Sequence, residues 1–316
     1  MGGRRILLRG AELGTFALLV AVPLGVQNPY VLGLLTLLAI YGILLLGLDI
    51  SVGYLGQVNL AQAAFLGLGA YAAGLVIVRG HGGVFAACAA ATLVGLALGA
   101  LLALPALRLE GPQFALATLS FTALSATALN EMEWLTGGAQ GLSLGRPPLW
   151  GHALTARGFY WLCMVLLALV WLAMRNLLAG QWGRAFGALR DSPIATDAMG
   201  VGTYSHKVAG FAFGSGLGGL AGALYALDFQ YLQPQTFVYE LTVVLLMGVV
   251  LGGRKSRWGA FVGASLVALL PNLLSNRTLF ELIAGAGFLL AAGRGARGLR
   301  RRTMSRFAAL APMLAT

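Results

Sequence analysis

The chain has 316 residues, 59% of them hydrophobic and 10% charged, with a formal net charge of +11 and a mean hydropathy of +0.83. So much apolar sequence with so little charge excludes an ordinary soluble domain, and the lack of alternating apolar and polar residues between turns argues against a membrane β-barrel. The basic residues are scattered over short loops and a C-terminal tail, so the charge reads as membrane topology and attraction to lipid, not as a nucleic-acid footprint.

Apolar runs of roughly 17 to 25 residues, each long enough to cross about 30 Å of hydrocarbon as helix, follow one another along the chain. They predict an all-α fold: a polytopic transmembrane helical bundle of about ten spanning or partly spanning helices, in one domain over residues 1–316. The first run, 11–26, follows Arg4, Arg5 and Arg9 and resembles a signal peptide, but no small-x-small cleavage site closes it, so it is expected to be a retained helix. The next spans are expected near 29–47, 58–78, 83–105, 112–130 and 158–175. Further along come 205–227, 236–252, 258–274 and 278–293.

With both termini cytoplasmic, this count leaves only Arg79, Arg146, Arg157 and Arg277 of the 21 Lys and Arg residues outside. That asymmetry is what the positive-inside rule requires, and one helix more or fewer would spoil it in half of the chain. Two connections are long, and long connections are where function is sought. One runs outside from about Asn130 to Gly158; the other, 175–204, runs inside. A basic cytoplasmic tail, 294–316, closes the chain.

No catalytic constellation is apparent. The three histidines, His81, His152 and His206, fall in different loops on both sides and are not expected to share a metal. GSGLGG (Gly214 to Gly219) matches a dinucleotide fingerprint in form, but it lies inside an apolar span with no strand before it, so small-residue helix packing is the expectation. GGRKS (Gly252 to Ser256) lacks the spaced glycines of a phosphate loop. Cys88 and Cys163 lie in apolar stretches and behave as small hydrophobes. The carboxylates, Asp49 and Glu240 among them, fall near predicted helix ends instead of at mid-membrane, which points to energy supplied by a partner and not by a coupling ion.

Gln57, Asn59 and Gln62 stand out as amides opening a span, with Asn59 and Gln62 three apart and so on one helical face. Either they are wetted capping residues of a turn, or a broken helix end with its amide side chains lines or shapes a pathway; non-helical backbone at membrane depth needs protein or water to satisfy it.

The stretch GYLGQVNLAQAAFLGLGAYAAG (Gly53 to Gly74) resembles the signature of the permease subunits of branched-chain amino acid ABC importers. RLEGPQFALATLSF, LTGGAQGL, GRAFGALRDSPIATDAMGVG, GSGLGGLAGALYA and LMGVVLGGRKSRWGAFVGA resemble later blocks in the same order, and the first two of these resemble the LivM-type subunit. The resemblance covers most of the chain. It implies a multi-pass protein of the bacterial inner membrane, acting with a LivH-type second permease, two cytoplasmic ATPase subunits and an extracytoplasmic substrate-binding protein. It implies no catalytic residue, metal or cofactor in this chain, ATP being bound by the partner subunits. Relatives built on the same blocks carry urea, short amides or other amino acids.

By this resemblance Arg190 to Gly200 matches the short helix that couples permease to ATPase, with Arg190, Asp191, Ile194, Ala195, Asp197 and Gly200 as the coupling residues. Pro193 suits its first turn and Asp191 or Ser192 its cap. The usual E-A-A-x-x-x-G pattern reads IATDAMG here, keeping only Ala195 and Gly200. Asn59, Ala61 and Gln62 replace the usual Ser, Gly and His of the opening block. The rival readings are a stand-alone secondary carrier and a lipid-acting membrane enzyme, for which Glu131, Glu133 and His152 are the nearest thing to a polar cluster.

Overall fold

The structure is a computed structural model that describes residues 28–80, 82–109, 111–145, 155–255 and 257–273. The expected spans 11–26 and 278–293 and the basic tail lie outside these residues. The other eight expected spans each coincide with a helix: α1 (Pro29–Asp49), α2 (Gln62–Val78), α3 (Val84–Ala106), α4 (Pro112–Glu131), α6 (Ala156–Ala179), α9 (Thr203–Phe229), α10 (Tyr239–Gly252) and α11 (Arg257–Leu273). Between them lie three short helices, α5 (Glu133–Thr136), α7 (Gln181–Asp191) and α8 (Pro193–Ala198). Among the described residues, α1 with its continuation to Tyr54, α3, α6 and α9 are long and apolar enough to cross a membrane. The sole sheet among the described residues is a two-residue antiparallel ladder, β1 (Leu142–Ser143) with β2 (Tyr231–Leu232), that ties two connections together at one end of the bundle.

The centre is built from α1, α2, α3 and α9, with α6 and α11 against the outer side of α1. Lipid tails are as apolar as leucine, so in a membrane the hydrophobic effect does not drive helices together; close backbone packing and interhelical hydrogen bonds must. The glycines of α9 supply the first. A Cβ on Gly214 would stand 2.6 Å from the carbonyl oxygen of Gly47 on α1, and a Cβ on Gly219 or Gly222 would overlap backbone of α3 or α2. The GSGLGG stretch is thus a packing seam, as its small residues suggested.

The helices alternate in direction and their ends gather in two layers. At one end Arg79 donates to the Trp134 carbonyl and the Tyr231 hydroxyl to the Gln140 carbonyl, beside the β ladder. At the other, Arg190 donates to the Gly53 carbonyl, Tyr54 to the Lys255 carbonyl and Tyr204 to the Leu104 carbonyl. Lys207 and Arg254 lie at this second, basic end.

Two details depart from the sequence reading. The connection 175–204 was expected to hold one short helix, yet α7 fills its first half. In QWGRAFGALRD the apolar side chains Phe186 and Leu189 turn inward and are buried, so the segment lies as an amphipathic helix along the basic end. Its charge on the other face hid it from a search for apolar spans. The second departure is the start of α2, at Gln62 instead of 58.

Candidate functional site

That late start is one half of a break in the bundle. After Asp49, α1 widens into a π-helical turn, Ile50–Tyr54; Gly56 then takes a positive φ of 73°, a conformation open to glycine and strained for other residues. From there to Ala61 the backbone is not helical. Such a stretch needs partners for its peptide groups, and side chains of α4 and α10 provide them. The Thr118 hydroxyl accepts the Leu60 N–H at 3.1 Å, the Thr122 hydroxyl donates to the Leu60 carbonyl at 2.7 Å, and the Thr242 hydroxyl accepts the Ala63 N–H at 3.0 Å. All three threonines are buried. Sequence reasoning missed them because a threonine in an apolar span ordinarily bonds its own helix; the signal available was the weak hydropathy of α4.

The three amides divide their roles. Asn59 precedes the helix: its Oδ1 accepts the Ala61 N–H at 2.8 Å and its Nδ2 donates to Gln62 Oε1 at 3.3 Å. This local side-chain bond competes with helix formation and accounts for the shortened α2. Gln62 Nε2 donates to the carbonyls of Leu44, at 3.2 Å, and Gly214, at 3.4 Å, where α1 and α9 touch. Both side chains are fully buried. Gln57 alone reaches a cavity, and its Oε1 is buried without a hydrogen-bond partner among the described residues.

The cavity, of about 700 Å³, lies at the basic end. Leu107, Leu109 and Phe114 form an apolar wall, while Arg190, Lys207 and Arg254 bring positive charge from three different elements. Arg190 is fixed by the Gly53 carbonyl on the break itself. Asp49, buried at the end of α1, accepts the Lys255 N–H at 3.2 Å and faces Arg190 and Arg254. In the sequence Lys207 figured only among the basic residues of the inside loops, and Arg254 also within GGRKS, which was not read as a site.

Arg190 and Pro193 also belong to the expected coupling segment, Arg190 to Gly200, which is not one helix: Arg190 lies in the last turn of α7, and Pro193 opens α8. Ser192 caps α8, its hydroxyl accepting the Ala195 N–H, and Pro193 takes the first turn. Asp191 ends α7 and is exposed. At the other end Gly200, with φ 80°, closes α8 as its N–H reaches the Asp197 carbonyl at 2.9 Å and the Val201 N–H reaches the Thr196 carbonyl at 3.3 Å. Asp197 turns back to α9, accepting the Thr203 N–H at 3.0 Å and the Thr203 hydroxyl at 2.8 Å. These bonds hold its carboxyl below the usual carboxylate range. Ala195 is exposed; so are Ile194, at 85%, and Met199, at 83%, the latter a residue the sequence reading did not single out.

A bundle of apolar helices in alternating directions, with a helix break sealed by neighbouring side chains, defines a multi-pass α-helical membrane protein. The family profile described as branched-chain amino acid transport system, permease component, matches residues 30–292, and the chain belongs to that family. It is 30% identical over 280 residues to the high-affinity branched-chain amino acid transport system permease protein LivM of Escherichia coli strain K12, covering 81% of this chain and 66% of the relative. It is 24% identical over 272 residues to a probable LivM permease of Methanocaldococcus jannaschii, covering 74% of this chain and 78% of the relative. The autoinducer 2 import system permease LsrC of Yersinia pestis is 29% identical over 301 residues, 88% of this chain and 80% of the relative. The chain thus spans about two thirds of the length of the E. coli LivM protein. No solved structure matches it.

Proposed function

We propose that this chain is a transmembrane permease subunit of an ATP-driven importer for branched-chain or other hydrophobic amino acids, one permease domain working by alternating access in the bacterial inner membrane. It has no catalytic residue of its own. Its partners in this reading are two cytoplasmic ATPase subunits, a LivH-type second permease and an extracytoplasmic binding protein. The basic end faces the cytoplasm and its anionic lipid.

The observation that carries the reading is α8. A capped helix of six residues that holds two large apolar side chains in solvent has no reason to do so in isolation. Set beside a family match to transport permeases, it suits docking in a groove of an ATPase. Ile194, Ala195 and Met199 make the contact; Arg190, Asp191, Asp197 and Gly200 set the angle of the helix. ATPase closure then pulls on Arg190, which grips the break at Gly53, and so moves the wall of the cavity. Gln57 lines the pathway, while Asn59 and Gln62 shape it by holding the break.

The test is co-purification of the complex carrying Ile194→Asp with Met199→Asp. Both positions are exposed, so the permease still folds, and the expected result is loss of the ATPase subunits and of ATP-driven leucine uptake. ATPase retained at wild-type stoichiometry with normal uptake would remove α8 from the interface. Uptake that needs no ATP and collapses with the proton gradient would replace the importer by a secondary carrier.

A further inference from the structure

Asp49 is a carboxylate buried where α1 passes into its π-helical turn, and it belongs neither to α8 nor to the cavity lining. An ionisable group within a span is costly, and it is kept where partners hold it and it has work to do. Its Oδ1 accepts the Lys255 N–H at 3.2 Å, from the turn between α10 and α11, and Arg190 and Arg254 face it. At the end of the same π-helical turn, the Tyr54 hydroxyl donates to the Lys255 carbonyl at 3.2 Å. Lys255 is thus bound on both sides of its Cα, and the two bonds hold its φ at 63°, a left-handed value that side chains disfavour. Gly53 completes the arrangement: a Cβ there would overlap the Asp49 carboxylate, and its carbonyl is the one that Arg190 binds. Within one turn of chain, the coupling segment is joined through Arg190, and the base of α10 and α11 through Asp49.

Beyond Lys255 the two helices form one body. A Cβ on Gly252, Gly259 or Gly263 would overlap a backbone carbonyl of the facing helix, so the two backbones touch with no side chain between them. Thr242, about 15 Å from Gly252 along α10, accepts the Ala63 N–H at the far end of the helix break. The pair therefore grips both ends of the break, at Asp49 through Lys255 and at Ala63 through Thr242.

We propose that Asp49 is a positioning residue for coupling: by holding Lys255 on the π-helical turn that Arg190 grips, it makes α10 and α11 follow the coupling segment and carry the Ala63 end of the break with them. The proposal rests on the importer reading and adds the arm through which motion at the ATPase reaches the interior of the bundle. Apolar packing of α11 on α1 resists separation but permits sliding, whereas a directional bond to a backbone N–H fixes the register. GGRKS, which lacks the spacing of a phosphate loop, is then the base of that arm.

The test uses the full complex, both permeases with the ATPase subunits, in proteoliposomes supplied with the binding protein; leucine uptake and ATP hydrolysis are read on the same vesicles. Asp49→Ala should assemble with ATPase at wild-type stoichiometry and hydrolyse ATP within about twofold of wild type, while leucine carried per ATP falls about tenfold or more and the leucine KM is unchanged. Asp49→Asn loses the same charge but keeps an oxygen for the Lys255 N–H, so it should recover about half or more of the wild-type ratio. Tyr54→Phe, which frees the Lys255 carbonyl, should lower the ratio in the same direction. An unchanged ratio in Asp49→Ala overturns the role, and if that variant fails to assemble, an unchanged ratio in Tyr54→Phe does so. Equal loss in the alanine and asparagine variants also overturns it, by assigning the effect to the charge that faces Arg190 and Arg254. Uptake that falls only in step with hydrolysis makes Asp49 a structural residue and has the same result. ATP-independent uptake by the wild-type complex strikes the importer reading itself, whereas ATP-driven uptake that is alike in wild type and variants strikes Asp49 alone.

Discussion

Asn59 has two hydrogen bonds and no exposed surface, at a point where the chain is neither helix nor loop. Leucine at this position keeps the branching and the number of side-chain heavy atoms but leaves the Ala61 N–H and Gln62 Oε1 without their partner. A buried polar group deprived of its partner costs about 1–3 kcal/mol. Asn59→Leu should therefore lower the thermal midpoint of the purified permease in detergent and alter the rate or affinity of uptake, since the non-helical stretch it fixes carries Gln57 at the cavity. An unchanged midpoint together with unchanged transport kinetics would show that the break is held by the threonines alone. These amides were conspicuous in the sequence because polar groups are rare there. Their division of labour was not, because which of three amides is sealed and which reaches a cavity depends on Thr118, Thr122 and Thr242, brought in from helices far along the chain.

At the scale of elements, α8 and the start of α9 act as one joint. The Asp197 carboxylate must be ionised to accept both Thr203 bonds, and its pKa is depressed in the fold. The contribution is therefore fully present above the ordinary carboxylate value of about 4 and is lost as pH falls through the lowered value. The extra protection of the Thr203 amide in wild type over Asp197→Ala, followed by hydrogen exchange, should be constant from pH 5 to 8 and close only in stronger acid. A difference that vanished near neutrality would assign that protection to another group. Gly200 is the other end of the joint: at φ 80° an L side chain is strained by about 1–2 kcal/mol, and nothing stands within 4 Å of where its Cβ would be. Gly200→Leu should thus leave the complex assembled but uncouple ATP hydrolysis from transport, because the helix angle changes and no clash is made. Hydrolysis still coupled to uptake in that variant would free the angle of any role. The long helices were legible from apolar length alone, and the cap of α8 from Ser192 and Pro193. The helix α7 was not, because an amphipathic helix at an interface carries too much charge to register as a span.

For the whole molecule, the orientation of the bundle decides whether the cavity and α8 can meet an ATPase at all. The sequence argues for it through the sparse Arg and Lys on one side, a rule that works because cationic loops resist export. The fold adds that Arg190, Lys207, Arg254 and α8 share one end, while Arg79, Trp134 and the β ladder share the other. Two introduced cysteines, one per variant, separate the ends. Ile194→Cys places a thiol on α8, and Trp134→Cys places one on the opposite end, at positions 85% and 70% exposed in the parent chain. The natural Cys88 and Cys163 are both buried, so neither competes for a bulky reagent. In intact cells whose outer membrane is permeabilised, a membrane-impermeant maleimide should label the Trp134 variant at once and the Ile194 variant only after the inner membrane is opened. The complex should also protect the Ile194 thiol in opened membranes, because the docked ATPase covers it, and stripping the ATPase should restore labelling. The opposite order of labelling would turn the basic end outward and, with it, make the cavity an entrance facing the binding protein.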